Sequence, residues 1–372
     1  MSHMTYLEAS VVGLIQGVTE LFPVSSLGHN VLIPALIGGS WATDLNVAKS
    51  ESPYLAFIVG LHVATAIAML IYFWRDWVRI IGGFFTSIRD REVSTVDQKM
   101  AWMIILATIP VGLVGLVFEH TFRVIFGVPI RAAIFLMVNG VILFVGERFR
   151  TRKSLAADAE LEAEARDDAL AAAPAAAAAS SSTVADAPAA RTAMSGAVAA
   201  GLGGAVATPA GAHGVPGGPG AAMHASGQRA ARQLEASRAY EADTRLSGIG
   251  NWQALIIGAA QILALFAGIS RDGVVMVTGM FRGLSRQDAA RFSFLLSTPV
   301  ILAAGVLKIK DLVGPLGDGI RGQVIVGSIL SGVGAYLSVR FLMKYFQTRT
   351  LTPFAIYCVV FGLGATIYLS VK

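Results

Sequence analysis

An all-α polytopic membrane protein, with six transmembrane helices and two re-entrant helix-loop-helix hairpins in an inverted-topology repeat, is the fold class this sequence predicts. Three observations carry that expectation. The chain of 372 residues is 55% hydrophobic and only 14% charged, where a soluble domain carries roughly 25% charged residues. Six apolar segments are long enough to span a bilayer, which takes about 20 residues of helix. Two further apolar stretches are broken at their middles by matching polar motifs.

The first broken stretch runs over 6–37. Within it, Gln16 to His29 gathers a carboxylate, an amide, three hydroxyls and an imidazole around Pro23 and Gly28. Ionisable groups at membrane depth are costly and so are functional by default. Broken backbone there needs protein or a water-filled cavity to receive its freed polar groups. The three spans that follow are Tyr54 to Trp74, Met100 to Phe118 and Pro129 to Gly146. Together with the hairpin they form a first membrane repeat over 1–148.

From Phe149 to Gly250 the character changes. Arg150, Arg152 and Lys153 open the segment, and Ala-, Gly- and Pro-rich runs such as Ala171 to Ser182 fill it. Such a composition does not bury a core, and 149–250 is expected to be a disordered cytoplasmic linker. The second repeat, 251–372, begins with the other broken stretch, 252–281. Its spans are Phe292 to Leu307, Val324 to Leu342 and Pro353 to Leu369. In register, Gly13 falls on Gly258, Gln16 on Gln261, Ser25 on Ser270 and Gly28 on Gly273. An internal repeat of this kind governs the whole fold expectation.

Basic residues set the orientation. Arg75, Arg79, Arg89, Arg91 and Lys99 follow the first span; Arg282, Arg286 and Arg291, then Lys344 and Arg349, occupy corresponding loops. If the spans alternate, these loops share one side with the linker, and positive residues favour the cytoplasm. Both termini then lie outside, the first hairpin dips in from outside and the second from inside, and their broken tips meet near the midplane. The net charge of +5 belongs to this loop bias and not to nucleic-acid binding. The single Cys358 excludes a disulfide framework. The N-terminus lacks the basic start of a cleaved signal peptide.

The motif residues suit phosphate chemistry. Gln16 and Glu20 stand one helical turn apart on one face. Pro23 ends that helix, because the residue before a proline is driven out of the α region. Ser25 and Ser26 fall at the break, where hydroxyls and free N–H groups can meet an anion. His29 follows one turn later. In the second hairpin, Ser270, Arg271, Asp272 and Gly273 occupy the matching break, and Arg271 offers a planar fork for phosphate oxygens. A nucleophile, a base and donors for developing charge make a phosphoryl-transfer set. Ser26 is expected as nucleophile or phosphate ligand, with Glu20 or His29 as its base. Phosphoserine formation, attack by histidine and attack by water all remain open. His62 reads as a packed or hydrogen-bonded histidine of the first span, and Asp76 as an interfacial anchor.

The chain resembles the undecaprenyl-diphosphate phosphatases, the bacitracin-resistance family. Gln16 with Glu20, and Pro23-Val24-Ser25-Ser26-Leu27-Gly28-His29, look like the family's first motif. Ala267 to Val275 is similar to its second, except that Ala267, Asp272 and Val275 replace Pro, Ser and Thr. Phe292 to Leu296, Thr298-Pro299 and Pro353 to Tyr357 also look like the family.

The resemblance covers residues 5 to 150 and 250 to 370. It implies a bacterial inner-membrane enzyme that removes the terminal phosphate of undecaprenyl diphosphate. The product is the lipid carrier for peptidoglycan, and abundance of such an enzyme confers bacitracin resistance. It further implies a site open to the outer face, a divalent cation (Mg2+ or Ca2+) with Glu20 as a ligand, and room for a homodimer. Carried over by position, Glu20, Ser26, His29 and Arg271 are expected to be catalytic. Gln16, Ser25, Ser270, Asp272 and Gly273 are expected to bind substrate. A polyprenyl-phosphate flippase and a weakly active relative that binds the lipid are the rival readings.

Overall fold

The computed structural model describes residues 4–47, 53–164, 166–167, 170, 233, 236–314 and 319–372. Among these the chain is helical throughout, with no strand. It divides into two units, one of Met1–Glu162 with Glu241–Lys372, the other Ala163–Tyr240. The second unit contributes helical residues 163–164, 166–167, 170, 233 and 236–240 among those described. Everything that follows concerns the first.

The helices of its first half are α1 (Tyr6–Thr19), α2 (Ser26–Ile37), α3 (Gly39–Asp44), α4 (Pro53–Tyr72), α5 (Trp74–Asp90), α6 (Val96–Phe126) and α7 (Pro129–Arg148). Those of the second half are α8 (Asn251–Ala259), α9 (Arg271–Phe281), α10 (Arg286–Val313), α11 (Arg321–Tyr345) and α12 (Thr352–Val371), with a 3-10 helix over Ala260–Leu265. Six are long and apolar enough to cross a membrane: Pro53–Tyr72, Val96–Phe118, Pro129–Arg148, Arg286–Leu307, Arg321–Tyr345 and Thr352–Val371. Five contain their expected segments and extend them by up to a few residues; the first ends at Tyr72, two residues short of the expected Trp74. Leu113, Leu116, Val117, Ile325, Ile329 and Val360 project outward from these helices, each at least 60% exposed, as lipid-facing side chains should.

Both broken stretches are helical on either side of a break. Thr5 and Glu8 form a capping box that starts α1, the reciprocal arrangement that satisfies two orphan N–H groups. The helix stops before Pro23, and Ser25 turns the chain with φ 67°. Ser25 then caps α2 by accepting from Gly28 N at 3.2 Å. In the second broken stretch, Gly268 takes φ 110°. A Cβ there would strike the Ala132 carbonyl oxygen of α7, so glycine is required twice over. Ser270 caps α9 by accepting from Gly273 N at 3.2 Å.

Packing crosses between the halves. Gly13 of α1 lies against the backbone of Gly327 in α11, and Gly258 of α8 lies against Ala107 in α6. Small residues let membrane helices approach this closely, since packing drives their association where the hydrophobic effect does not.

Two details differ from the expectation. The segment after the first span is the amphipathic helix α5 and not a loop. Its Ile80, Gly83 and Ser87 turn inward while Val78, Ile81 and Phe85 are exposed. The 149–250 stretch also has an ordered beginning: residues 152–162 are helical. There Ser154 Oγ donates to Leu284 O at 2.6 Å, and Asp158 accepts from Arg286 N at 2.8 Å. Composition missed this because the anchoring is by individual polar side chains, not by an apolar stripe. Residues 241–247 are helical too. Buried Asp243 accepts from Arg79 at 2.6 Å and Arg291 at 2.9 Å. Most of the stretch expected to be a disordered linker lies outside the described residues.

Candidate active site

Glu20 follows the last turn of α1, 7% exposed, and four groups converge on it. Gln16 Nε2 donates to Oε2 at 2.8 Å from one turn earlier. Ser26 Oγ donates to the same oxygen across the Pro23 break. His62 Nε2 lies 3.4 Å from it. Arg271 donates a guanidinium N–H to Oε1 at 2.7 Å from the second broken stretch. A buried carboxylate needs this degree of pairing, since an unpaired charge would be desolvated without compensation.

Around Glu20 the two break points are stitched together. Asn139 of α7 donates to Pro23 O at 2.9 Å and accepts from Ser270 N at 2.9 Å. Ser25 Oγ accepts from Gly268 N at 3.2 Å. Segments distant in sequence therefore share one polar centre. Ser26 is the first residue of α2 and Arg271 the first of α9. Two helix N-termini thus open on the same place, each with the positive end of its dipole and free N–H groups.

A cavity of about 290 Å³ lies there, with Glu20, Ser26, His62, Gln261, Ser270 and Arg271 in its wall. Its remaining wall is mostly aliphatic, with Val111, Leu265, Val300 and Ile301. One polar end with an apolar flank suits an amphiphile with an anionic head. Arg271 Nε is buried and has no hydrogen-bond partner, so part of the guanidinium fork remains for an incoming anion.

The expected site residues divide. Glu20, Ser26, Arg271, Ser25 and Ser270 meet at the cavity. Gln16 stands behind Glu20, and Asn30 Nδ2 donates to its Oε1 at 2.6 Å. Ser25 and Ser270 use their hydroxyl oxygens as helix caps. Gly273 supplies the N–H that Ser270 accepts.

His29 and Asp272 lie elsewhere. The His29 ring meets Ser25 O through Nδ1 at 2.7 Å and the Tyr357 hydroxyl through Nε2 at 2.7 Å. It stacks on Tyr357 and Phe361 of α12, and it is absent from the cavity wall. The helical period of α2 turns it toward α12, so an expectation from sequence spacing alone misplaced it. Asp272 accepts from Ser293 at 2.7 Å and Ser297 at 2.6 Å, both on α10. Its nearest oxygen is 3.9 Å from Arg271 Nε.

His62 is the residue that sequence reasoning undervalued. It stands on α4, and its Nδ1 meets Ile58 O at 2.8 Å. A carbonyl only accepts, so Nδ1 carries a proton and Nε2 faces Glu20. That places an ionisable nitrogen beside the carboxylate that receives the Ser26 hydroxyl. Replacing His62 by alanine is expected to lower kcat by about 100-fold or more and to remove one limb of the pH–rate profile. Replacing His29 is expected to lower activity through the Ser25 turn, with the shape of the profile unchanged. Steady-state rates between pH 5 and 9 check both.

Among the described residues no group of three or more His, Cys, Asp or Glu side chains could hold a metal ion. Glu20 is the one carboxylate in the cavity wall, and both of its oxygens already accept from protein donors. These residues do not fit an ion held by protein alone, and no chemical step is derived through one.

The family model described as bacitracin resistance protein BacA matches residues 9–207 and 220–364. The chain is 50% identical over 371 residues to an undecaprenyl-diphosphatase of Mycolicibacterium paratuberculosis, covering 100% of this chain and 99% of the relative. It is 51% identical over 379 residues to undecaprenyl-diphosphatase 1 of Frankia casuarinae, covering 97% of each. With undecaprenyl-diphosphatase 2 of Burkholderia orbicola it shares 33% identity over 353 residues, 95% of this chain and 92% of the relative.

Proposed function

The chain belongs to the bacitracin resistance protein BacA family, and on that premise we propose that it hydrolyses undecaprenyl diphosphate to undecaprenyl phosphate and inorganic phosphate. The observation that carries this reading is the hydrogen bond from Ser26 Oγ to Glu20, with Arg271 on the other oxygen of the same carboxylate. A serine hydroxyl is a weak nucleophile until an adjacent base takes its proton. Glu20 is that base here.

The steps follow from the placement. The terminal phosphate enters between the N-termini of α2 and α9, met by the Arg271 fork and free N–H groups. The Ser26 oxygen attacks the terminal phosphorus, and its proton passes to Glu20. The bond from that phosphorus to the bridging oxygen breaks, and undecaprenyl phosphate leaves with the electron pair. Glu20 hands that proton to the departing phosphate and is a carboxylate again. Water, deprotonated by Glu20 with His62 beside it, then attacks the phosphoserine phosphorus; the bond to the Ser26 oxygen breaks, that oxygen regains the proton from Glu20, and inorganic phosphate leaves. Positioning and charge stabilisation supply most of the acceleration in such transfers. The aliphatic wall receives the first isoprene units.

Arginine and two helix N-termini carry the positive charge on the diphosphate. The divalent cation implied by the family would arrive as a counter-ion on the phosphate oxygens. Asp272 and Val275, which depart from the family motif, stand off the cavity wall. Their effect on turnover is therefore small in this reading.

The finer architecture is also a proposal. The crossed packing of Gly13 on α11 and Gly258 on α6 supports an inverted-topology repeat with two re-entrant hairpins. The basic loops support a plasma-membrane orientation with both termini outside, and the site then opens to the outer face. Paired broken helices are also transporter architecture, but transport alone gives no reason for a serine hydroxyl bonded to a carboxylate.

Sealed proteoliposomes test this. Purified protein should release inorganic phosphate from undecaprenyl diphosphate in the leaflet that corresponds to the outer face, without any gradient. Release from the opposite leaflet alone would reverse the orientation. Lipid movement without phosphate release would replace hydrolysis by transport.

A further inference from the structure

Gln261 is the sequence counterpart of Gln16, yet the two amides fare differently. Gln16 is saturated: its nitrogen donates to Glu20 at 2.8 Å and its oxygen accepts from Asn30 at 2.6 Å. One turn after Gln16 comes Glu20, an acceptor. Four residues after Gln261 comes Leu265, whose side chain accepts nothing. Gln261 is 1% exposed, and neither its nitrogen nor its oxygen has a partner among the described residues. It stands in the cavity wall with Glu20, Ser26 and Arg271. A buried amide without partners is costly, because each group has lost water and gained nothing. Arg271, of the same wall, also has a buried atom without a hydrogen bond, Nε, which lies 3.9 Å from Asp272 Oδ1.

We propose that Gln261 is a headgroup-binding residue, whose amide N–H donates to a phosphate oxygen of the lipid diphosphate while Arg271 holds another. The inference rests on the hydrolase reading and deepens it. The repeat has been divided between two tasks: Gln16 fixes the base Glu20, and Gln261 meets the ligand. The carbonyl oxygen of Gln261 is left for a protonated phosphate oxygen or for a bound water.

Gln261→Leu is the test, because leucine fills a similar volume and removes both orphaned atoms. Hydrogen bonds to charged groups are worth enough that KM for undecaprenyl diphosphate should rise about tenfold or more. Inhibition by inorganic phosphate should weaken in parallel. The thermal midpoint of the ligand-free variant should not fall, whereas that of Gln16→Leu should, since only Gln16 has protein partners to lose. Gln261→Glu should bind more weakly still, because its carboxylate repels the diphosphate.

An unchanged KM in Gln261→Leu overturns the proposal. So does weakened phosphate inhibition with unchanged KM, which would confine the contact to free phosphate. A fall in the ligand-free midpoint would assign Gln261 a structural role instead. If the wild type releases no phosphate, the hydrolase reading fails separately. Thermal stabilisation of wild type and variant by undecaprenyl diphosphate, measured without turnover, then still decides for Gln261.

Discussion

Arg271→Ala protein, purified in detergent, should release phosphate from undecaprenyl diphosphate at least about 100-fold more slowly than wild type. The substitution removes the cation that faces the transferring phosphate and frees Glu20 Oε1 from its 2.7 Å partner. Arg271→Lys should recover little, because a point charge does not reproduce a fork. Glu20→Gln should lose at least as much, since Ser26 then has no base. Phosphate-release rates at saturating lipid, beside a thermal midpoint for each variant, separate lost chemistry from lost folding. Removing one member of a buried ion pair also destabilises, so Glu20→Gln, which keeps the shape, is the cleaner of the two.

The second large effect is expected at Asn139. This side chain joins the two break points by bonds to Pro23 O and Ser270 N. Asn139→Leu would leave Ser270 N buried without a partner, at about 1–3 kcal/mol, and Pro23 O with only the weak Cys358 Sγ donor at 3.9 Å. The tips would separate, and with them Ser26 and Arg271. Stability and kcat should therefore fall together, while the Gln261→Leu variant keeps its stability. Thermal unfolding with kcat measured on the same preparations checks this. Loss of activity at full stability would place Asn139 in direct contact with substrate instead.

Much of this was legible in the chain. The six spans stand out because lipid demands about 20 apolar residues per crossing, and each was found within a few residues of its expectation. The pair of Glu20 and Ser26 was legible because Pro23 must end α1 and leave both residues at the break. Arg271 was legible through the register of the repeat. His62 was not: it is a lone histidine in an apolar span, and only the packing of α4 brings it to Glu20. For His29, proximity in sequence to Ser26 did not reveal that α2 turns its ring to Tyr357. Asn139 had a signal that went unused. A polar amide in the middle of a membrane span is costly enough to imply a partner, although no spacing rule names Pro23 and Ser270.

The most direct measurement uses undecaprenyl diphosphate labelled in its terminal phosphate, with purified protein in detergent. The account predicts that the label leaves as inorganic phosphate, one per lipid, with unlabelled undecaprenyl phosphate remaining, and that Glu20→Gln and Arg271→Ala retain the label on the lipid. Label that stays on the lipid with wild type, or leaves as readily with either variant, would contradict it.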